Sequence, residues 1–245
     1  MANLAELASR AQGRRSPLAS HADSTVPPVC GDSSRPPRPP IFAPMLALIG
    51  LAALALPCDI SLARWAAGPV LPGDLRKFVE FGEVFGHGLG VAAIAIAIFN
   101  LDPARRWALP RLLVIAFSGG LAANLVKLLV VRTRPHAFDL TTGDVWQTLG
   151  SWTWVRSSVN QSFPSAHTAT AVAFAVGLGA MYPRAQRFFL ALAALVGVQR
   201  ILSGAHFLSD VCFGAAIGWF AATALLRLPG SIRWLRRLRL QDSNG

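Results

Sequence analysis

Six runs of apolar residues fall at about 42–58, 84–101, 112–131, 166–182, 188–205 and 207–226. Each is close to the 17–25 residues, at roughly 1.5 Å of rise per residue, that a helix needs to cross a hydrocarbon core of about 30 Å. What lies outside them cannot build a water-facing surface. Charged residues make up 14% of the chain and apolar ones 53%, whereas a soluble domain carries about a quarter charged residues. The expected fold class is therefore all-α, an integral membrane six-helix bundle. A disulfide scaffold is excluded, because Cys30, Cys58 and Cys212 are scattered and one sits in an apolar run. The net charge of +11 points toward nucleic acid only until the arginines are placed. They flank the apolar runs rather than forming one basic face, so membrane lipids, not nucleic acid, are the expected surroundings.

Three regions follow from this pattern. Residues 1–40 hold Pro27, Pro28, Pro36, Pro37, Pro39 and Pro40 with little apolar periodicity, which reads as a disordered tail. Residues 41–228 form the six-span domain. Residues 229–245, with Arg233, Arg236, Arg237 and Arg239, read as a basic amphipathic tail on an anionic membrane surface. Six spans put both termini on one side. Fifteen of the 23 basic residues fall on that side and eight on the other or at its span ends. The positive-inside rule then expects cytoplasmic termini in a plasma (inner) membrane.

Ionisable groups inside spans are costly and call for a partner or a function. The third run ends with Lys127, then Arg132-Thr133-Arg134-Pro135. Lys127 and Arg134, seven apart, are expected on one helical face about 10 Å apart along the axis, with Pro135 stopping the helix. Two cations at a membrane boundary suit a dianionic phosphate, and arginine offers a bidentate fork. Alone, Lys127 reads equally well as a snorkelling side chain.

The fourth run opens Phe163-Pro164-Ser165-Ala166-His167. A helix start offers free backbone N–H groups and a positive dipole end, Ser165 a hydroxyl, and His167 a proton near neutral pH. Between the fifth and sixth runs stand Arg200, Ser203-Gly204, His206 and Asp210. His206 and Asp210 are four apart, expected as neighbours on one face. A carboxylate bonded to one ring nitrogen leaves the other free as nucleophile or base. Arg200 is off that face on an unbroken helix, and Ser203-Gly204 supplies a break that brings it back.

Taken together, Lys127-x6-Arg134-Pro135, Pro164-Ser165-Ala166-His167 and Arg200-x5-His206-x3-Asp210 resemble the three-part signature of the type 2 phosphatidic acid phosphatase superfamily, which includes the vanadium haloperoxidases. Nine identities agree in order and spacing, and the resemblance covers about residues 42–228. It implies a membrane phosphatase acting on a lipid phosphate substrate, with the active site at the outer membrane face, facing periplasm or exterior. It implies no cofactor and no metal. By the resemblance, His206 attacks phosphorus to form a phosphohistidine, Asp210 orients His206, and His167 protonates the leaving oxygen. Lys127, Arg134, Arg200, Ser165 and the Ala166 N–H hold the phosphoryl oxygens. Preplaced donors of this kind are the main contribution to phosphoryl transfer.

Two positions depart from the pattern. Gln199 stands where the third motif has serine, and Ala166 where the second has glycine. Gly214-x3-Gly218 reads as close helix packing, Trp146, Trp152 and Trp154 as interfacial anchors, and Glu83-x3-His87 as a packing or interfacial feature. A lipid phosphotransferase uses the same residues, and a catalytically silent lipid-binding or transport protein shares the scaffold. Headgroup choice lives in loops and stays open.

Overall fold

The computed structural model describes residues 40–150 and 158–243, all within one unit, Pro36–Gly245. The expected tail at 1–40, apart from Pro40, and the expected anchors Trp152 and Trp154 lie outside the described residues. Among the described residues nine α-helices follow in order, with short 3₁₀ turns between several of them: α1 Phe42–Ala55, α2 Asp59–Ala66, α3 Gly73–Gly82, α4 Gly88–Leu101, α5 Leu109–Lys127, α6 Ala166–Met181, α7 Gln186–Leu202, α8 Leu208–Arg227 and α9 Pro229–Ser243. Among the described residues there is no strand, only two isolated bridges from Arg132 to Leu149 and to Gln161.

Small side chains decide which helix is central. The sequence of α6 is rich in alanine, glycine and threonine, and nearly every residue from Thr168 to Met181 is buried. Such a surface lets neighbouring backbones approach closely, and α5, α7 and α8 all pack on it. A Cβ on Gly119 of α5 or on Gly218 of α8 would overlap the Ala169 carbonyl. The outer helices instead expose large apolar residues, among them Leu54, Phe81, Leu101, Leu121 and Phe188. That inversion, small inside and large apolar outside, is what hydrocarbon as solvent requires.

Among the described residues four helical stretches have the length and hydropathy to cross a membrane: Phe42–Ala66, Pro103–Lys127, Pro183–Leu202 and Leu208–Arg227. The expected second span is broken. Gly73–Gly86 and Gly88–Leu101 meet at 75° and make a fifth crossing only if taken together. The expected fourth span is α6, shorter than the rest and enclosed by them. The six apolar runs are thus six places in the bundle, but length and composition support four or five crossings.

Residues 229–243 are helical and pack on the bundle. They form α9, whose Trp234 and Leu238 are buried in the same apolar core as Leu112 and Phe174. Trp234 Nε1 donates to the Ala108 carbonyl at 3.2 Å, and Arg111 donates to Ser231. Arg233, Arg236, Arg237 and Arg239 of this segment are exposed.

Candidate active site

The three sequence motifs meet at one end of the bundle, where α5 and α7 finish and α6 and α8 begin. The way they meet differs from a simple helical projection. Helix α5 ends at Lys127, and the chain from there to Arg134 is not helical. Lys127 and Arg134 therefore do not share a continuous helical face. Tertiary hydrogen bonds win over helix continuation. Arg132 N donates to the Asn160 carbonyl at 3.1 Å, Ser162 N to the Arg132 carbonyl at 2.9 Å, and Arg134 N to the Val159 carbonyl at 2.9 Å. The 131–134 segment thereby lies along 159–162 and carries Arg134 back beside Lys127, close enough for the two charges to act on each other.

Ser165 is the N-cap of α6. Its Oγ accepts from Thr168 N at 3.4 Å and lies 2.9 Å from Thr168 Oγ1. The hydroxyl is engaged in capping, which fixes the helix start, while Ala166 at the first helical position keeps one of the free amides typical of that position. A Cβ on Gly214 would overlap the Ser165 carbonyl, so that glycine sets how closely α8 approaches this cap. Gly214 and Gly218 are packing residues, as their spacing indicates.

Between α7 and α8 the chain turns over residues 203–207, with Gly204 at φ 66°, a left-handed conformation that glycine adopts without strain. Ala205 N and His206 N both donate to the Arg200 carbonyl, at 3.2 and 3.1 Å. The turn is also pinned from outside, because His136 N donates to the Gly204 carbonyl at 3.0 Å. This break brings Arg200 and His206 together, as the Ser203-Gly204 pair foretells.

His206 is almost wholly enclosed. Its Nδ1 lies 2.6 Å from the carbonyl oxygen of Ser162 and 3.9 Å from Asp210 Oδ2. The direct bond expected from Asp210 to the ring is replaced by one to backbone. A carbonyl only accepts, so Nδ1 carries the proton and Nε2 keeps its lone pair. Burial, followed by the charges of Lys127 and Arg134, holds the imidazole well below its ordinary pKa; Arg200 adds to the effect and the Ser162 bond opposes it. The ring is therefore neutral at neutral pH.

Asp210 acts one step back. Its Oδ2 accepts from Ser162 Oγ at 2.6 Å and from Phe207 N at 2.9 Å, and its Oδ1 from Arg132 Nη1 at 2.6 Å. It fixes both the segment that holds the ring and the residue that follows it. Arg132 then reaches Asp59 Oδ2 at 2.8 Å, Ser209 Oγ at 2.7 Å and Thr148 Oγ1 at 3.1 Å, with its guanidinium carbon 4.3 Å from the Phe207 ring centroid. Asp59 accepts from Ser209 N at 3.0 Å, which ties α2 to the start of α8.

Arg134 has a buried Nε without a partner among the described residues. Arg200 donates from Nη2 to Glu83 Oε2 at 3.0 Å, and Glu83 Oε1 stands 3.7 Å from His167 Nε2. Glu83 does not pair with His87, whose Nδ1 instead accepts from Leu89 N at 3.2 Å where the bent pair breaks. A cavity of about 620 Å³ opens beside Arg200 and Glu83, with Ala66, Val70 and Leu71 among its apolar walls and Arg76 among its polar ones.

Sequence reasoning does not place Arg132, Asp59, Ser162, Glu83 or Gln199 in the site. Asp59, Glu83 and Arg132 carry a signal, as charges bordering apolar runs, and Gln199 as a motif departure; the pairs Arg132–Asp59 and Gln199–Glu83 each join residues more than 70 apart in the chain. No group of three or more His, Cys, Asp or Glu suited to a metal ion is found among the described residues.

The profile of the PAP2 superfamily matches residues 107–234. The lipid A 1-phosphatase of Rhizobium etli is 34% identical over 170 residues, covering 61% of this chain and 70% of that protein. The lipid A 1-phosphatase of Rhizobium johnstonii is 36% identical over 111 residues, covering 44% of this chain and 42% of its own length. Among solved structures, the transmembrane PAP2 type phosphatidylglycerolphosphate phosphatase from Bacillus subtilis aligns with TM-score 0.54 at 18% identity, over 74% of this chain and 93% of that one. LpxE from Aquifex aeolicus aligns with TM-score 0.51 at 20% identity, over 70% and 96%. At such identities the two structures speak for the fold.

Proposed function

This chain belongs to the PAP2 superfamily, and on that premise we propose that it is an integral membrane phosphatase that hydrolyses a lipid phosphate. The name of the two Rhizobium relatives, lipid A 1-phosphatase, makes a lipid A 1-phosphate the first substrate to test. The observation that carries the reading is the state of His206. It is a buried neutral imidazole with Nδ1 bonded to the Ser162 carbonyl, under the combined charge of Lys127, Arg134 and Arg200.

In this reading the three cations and the Ala166 amide, at the start of α6 beside the capping Ser165, receive the phosphoryl oxygens. Nε2 of His206 attacks phosphorus, forming a P–N bond as the ester P–O bond breaks. The leaving oxygen takes its electron pair and a proton from His167. Water then attacks the phosphohistidine, giving up a proton to His167; the P–N bond breaks, its electron pair returns to Nε2 of His206, and phosphate departs. Charge held in place beforehand does most of the work in such a transfer. The cavity beside Arg200 has the mixed polar and apolar walls that the rest of an amphipathic substrate requires.

The termini are assigned to the cytoplasm and the site to the periplasm or exterior. The bias of basic residues supports this, as does the placing of α9 at the α5 start, opposite the end where the motifs meet.

The test is phosphate release by purified protein from lipid A, phosphatidate, phosphatidylglycerol phosphate and undecaprenyl diphosphate, with and without EDTA. Release from at least one, undiminished by EDTA and inhibited by vanadate, is the expected result. Loss of activity in EDTA restored by magnesium contradicts the metal-free reading, and transfer of phosphate to an acceptor other than water contradicts the hydrolase.

A further inference from the structure

Arg200 is gripped by two groups outside the signature. Its Nε donates to Gln199 Oε1 at 2.7 Å and its Nη2 to Glu83 Oε2 at 3.0 Å. Gln199 Nε2 donates to the same Glu83 oxygen at 3.2 Å, which closes a ring of three side chains. The second oxygen of Glu83 faces His167 Nε2 at 3.7 Å. Gln199, the departure from the family's serine, is thus the brace of a carboxylate that arrives from the broken segment between α3 and α4.

The charged and titratable groups that face His167 are Arg200 from α7, Glu83 and His87 from the broken segment, and Lys127 from α5. Three of these four are cations or become so on protonation, and each repels an imidazolium. Glu83 is the one carboxylate in the set. A general acid has to hold its proton until the leaving oxygen takes it. The Glu83 carboxylate supplies the counter-charge for that proton and fixes the Arg200 guanidinium at the same time.

We infer that Glu83 is the positioning residue of the proton-donating half of the site, acting through His167 and Arg200, with Gln199 holding its carboxylate in register. The inference rests on the phosphatase reading above, with His167 as the group that protonates the leaving oxygen. It assigns Glu83 no contact with phosphorus. A carboxylate beside the phosphate ligand Arg200 weakens dianion binding by like-charge repulsion, so its benefit has to appear in turnover.

The experiment compares Glu83→Gln with wild type on two phosphomonoesters that differ in leaving group. A long-chain alkyl phosphate leaves as an alkoxide and needs the proton; p-nitrophenyl phosphate leaves as a stable phenolate and does not. Since a general acid contributes about 10²–10⁴ in rate, kcat on the alkyl phosphate is expected to fall roughly 10- to 100-fold. On p-nitrophenyl phosphate it is expected to fall less than about threefold. KM stays level or drops, because a negative charge has left the phosphate site. Gln199→Met, which removes the brace and keeps the charge, is expected to give the same split at smaller size. Equal losses on both substrates, or no loss on the alkyl phosphate, overturn the inference while leaving the phosphatase reading intact. A wild type that releases phosphate from neither substrate overturns the reading, and the inference falls with it.

Discussion

The Nδ1 proton of His206 is donated to the carbonyl oxygen of Ser162 at 2.6 Å, so the ring is oriented by backbone rather than by a carboxylate. Asp210 secures that backbone through the Ser162 hydroxyl and the Phe207 amide. The arrangement does what a third catalytic group does elsewhere, which is to fix the tautomer and aim the free nitrogen. The carboxylate's own charge goes to Arg132.

A neutral His206 has a consequence for pH dependence. Burial and the neighbouring cations depress its folded-state pKa, so protonation, which blocks the proposed nucleophile, begins only at a pH lower than the ordinary imidazole value of about 6.5. The limb of kcat/KM that falls with acid is expected on the acid side of the ordinary imidazole value, with no break near 6.5 from this residue. His206→Ala is expected to abolish phosphate release while leaving the protein folded in detergent. Retention of most of the wild-type rate in that variant would show that the nucleophile lies elsewhere.

Arg132 and Arg134 are two residues apart and are expected to fail in opposite ways. Arg132 is shared between two buried carboxylates, Asp59 and Asp210, and removing one partner of a buried pair costs about 3–5 kcal/mol. Arg132→Ala should therefore lower the thermal unfolding midpoint in detergent by many degrees. Arg134→Ala should leave that midpoint within a few degrees and raise KM for the lipid phosphate, because its Nε has no partner among the described residues to lose. The same unfolding and kinetic measurements on both variants decide it; matching thermal losses would remove Arg134 from the phosphate site.

Gly214 tests whether helix spacing sets the site. Its substitution by alanine places a Cβ against the Ser165 carbonyl, a backbone atom that cannot swing aside. Overpacking of this kind costs about 1–3 kcal/mol, and a displacement near 1 Å at a reacting group costs up to about 10²-fold in rate. Gly214→Ala is expected to lose about 10-fold or more in kcat with a modest fall in stability. Gly50, with open space where a Cβ would go, should accept alanine with full activity.

Sidedness follows from labelling. Thr142→Cys, on the exposed segment at the site end, and Ala104→Cys, at the opposite end, are compared with the three native cysteines replaced. A thiol reagent that cannot cross membranes should modify position 142 in intact cells and position 104 only after lysis. The reverse pattern places the site in the cytoplasm and changes the lipid pool it reaches.

The sequence by itself determined the class of fold and pointed to the chemistry proposed for the site. Six apolar runs with few charges in them demand helices in lipid, and the Lys127, Arg134, Arg200 and His206 set reads as phosphate chemistry from residue type and spacing. Spacing succeeded where one local element governs, as at the Ser203-Gly204 turn. It misled where a local helix was extrapolated past its end. Lys127 and Arg134 meet through backbone bonds to 159–162, and His206 is oriented by Ser162, 44 residues away. Tertiary structure alone decided the partners Asp59–Arg132 and Glu83–His167, and the break of the second apolar run at 75°. The physical reason is common to all three. A buried charge or backbone amide takes whatever partner the packed bundle brings within about 3–4 Å, and that proximity is set by helix contacts between small residues rather than by distance along the chain.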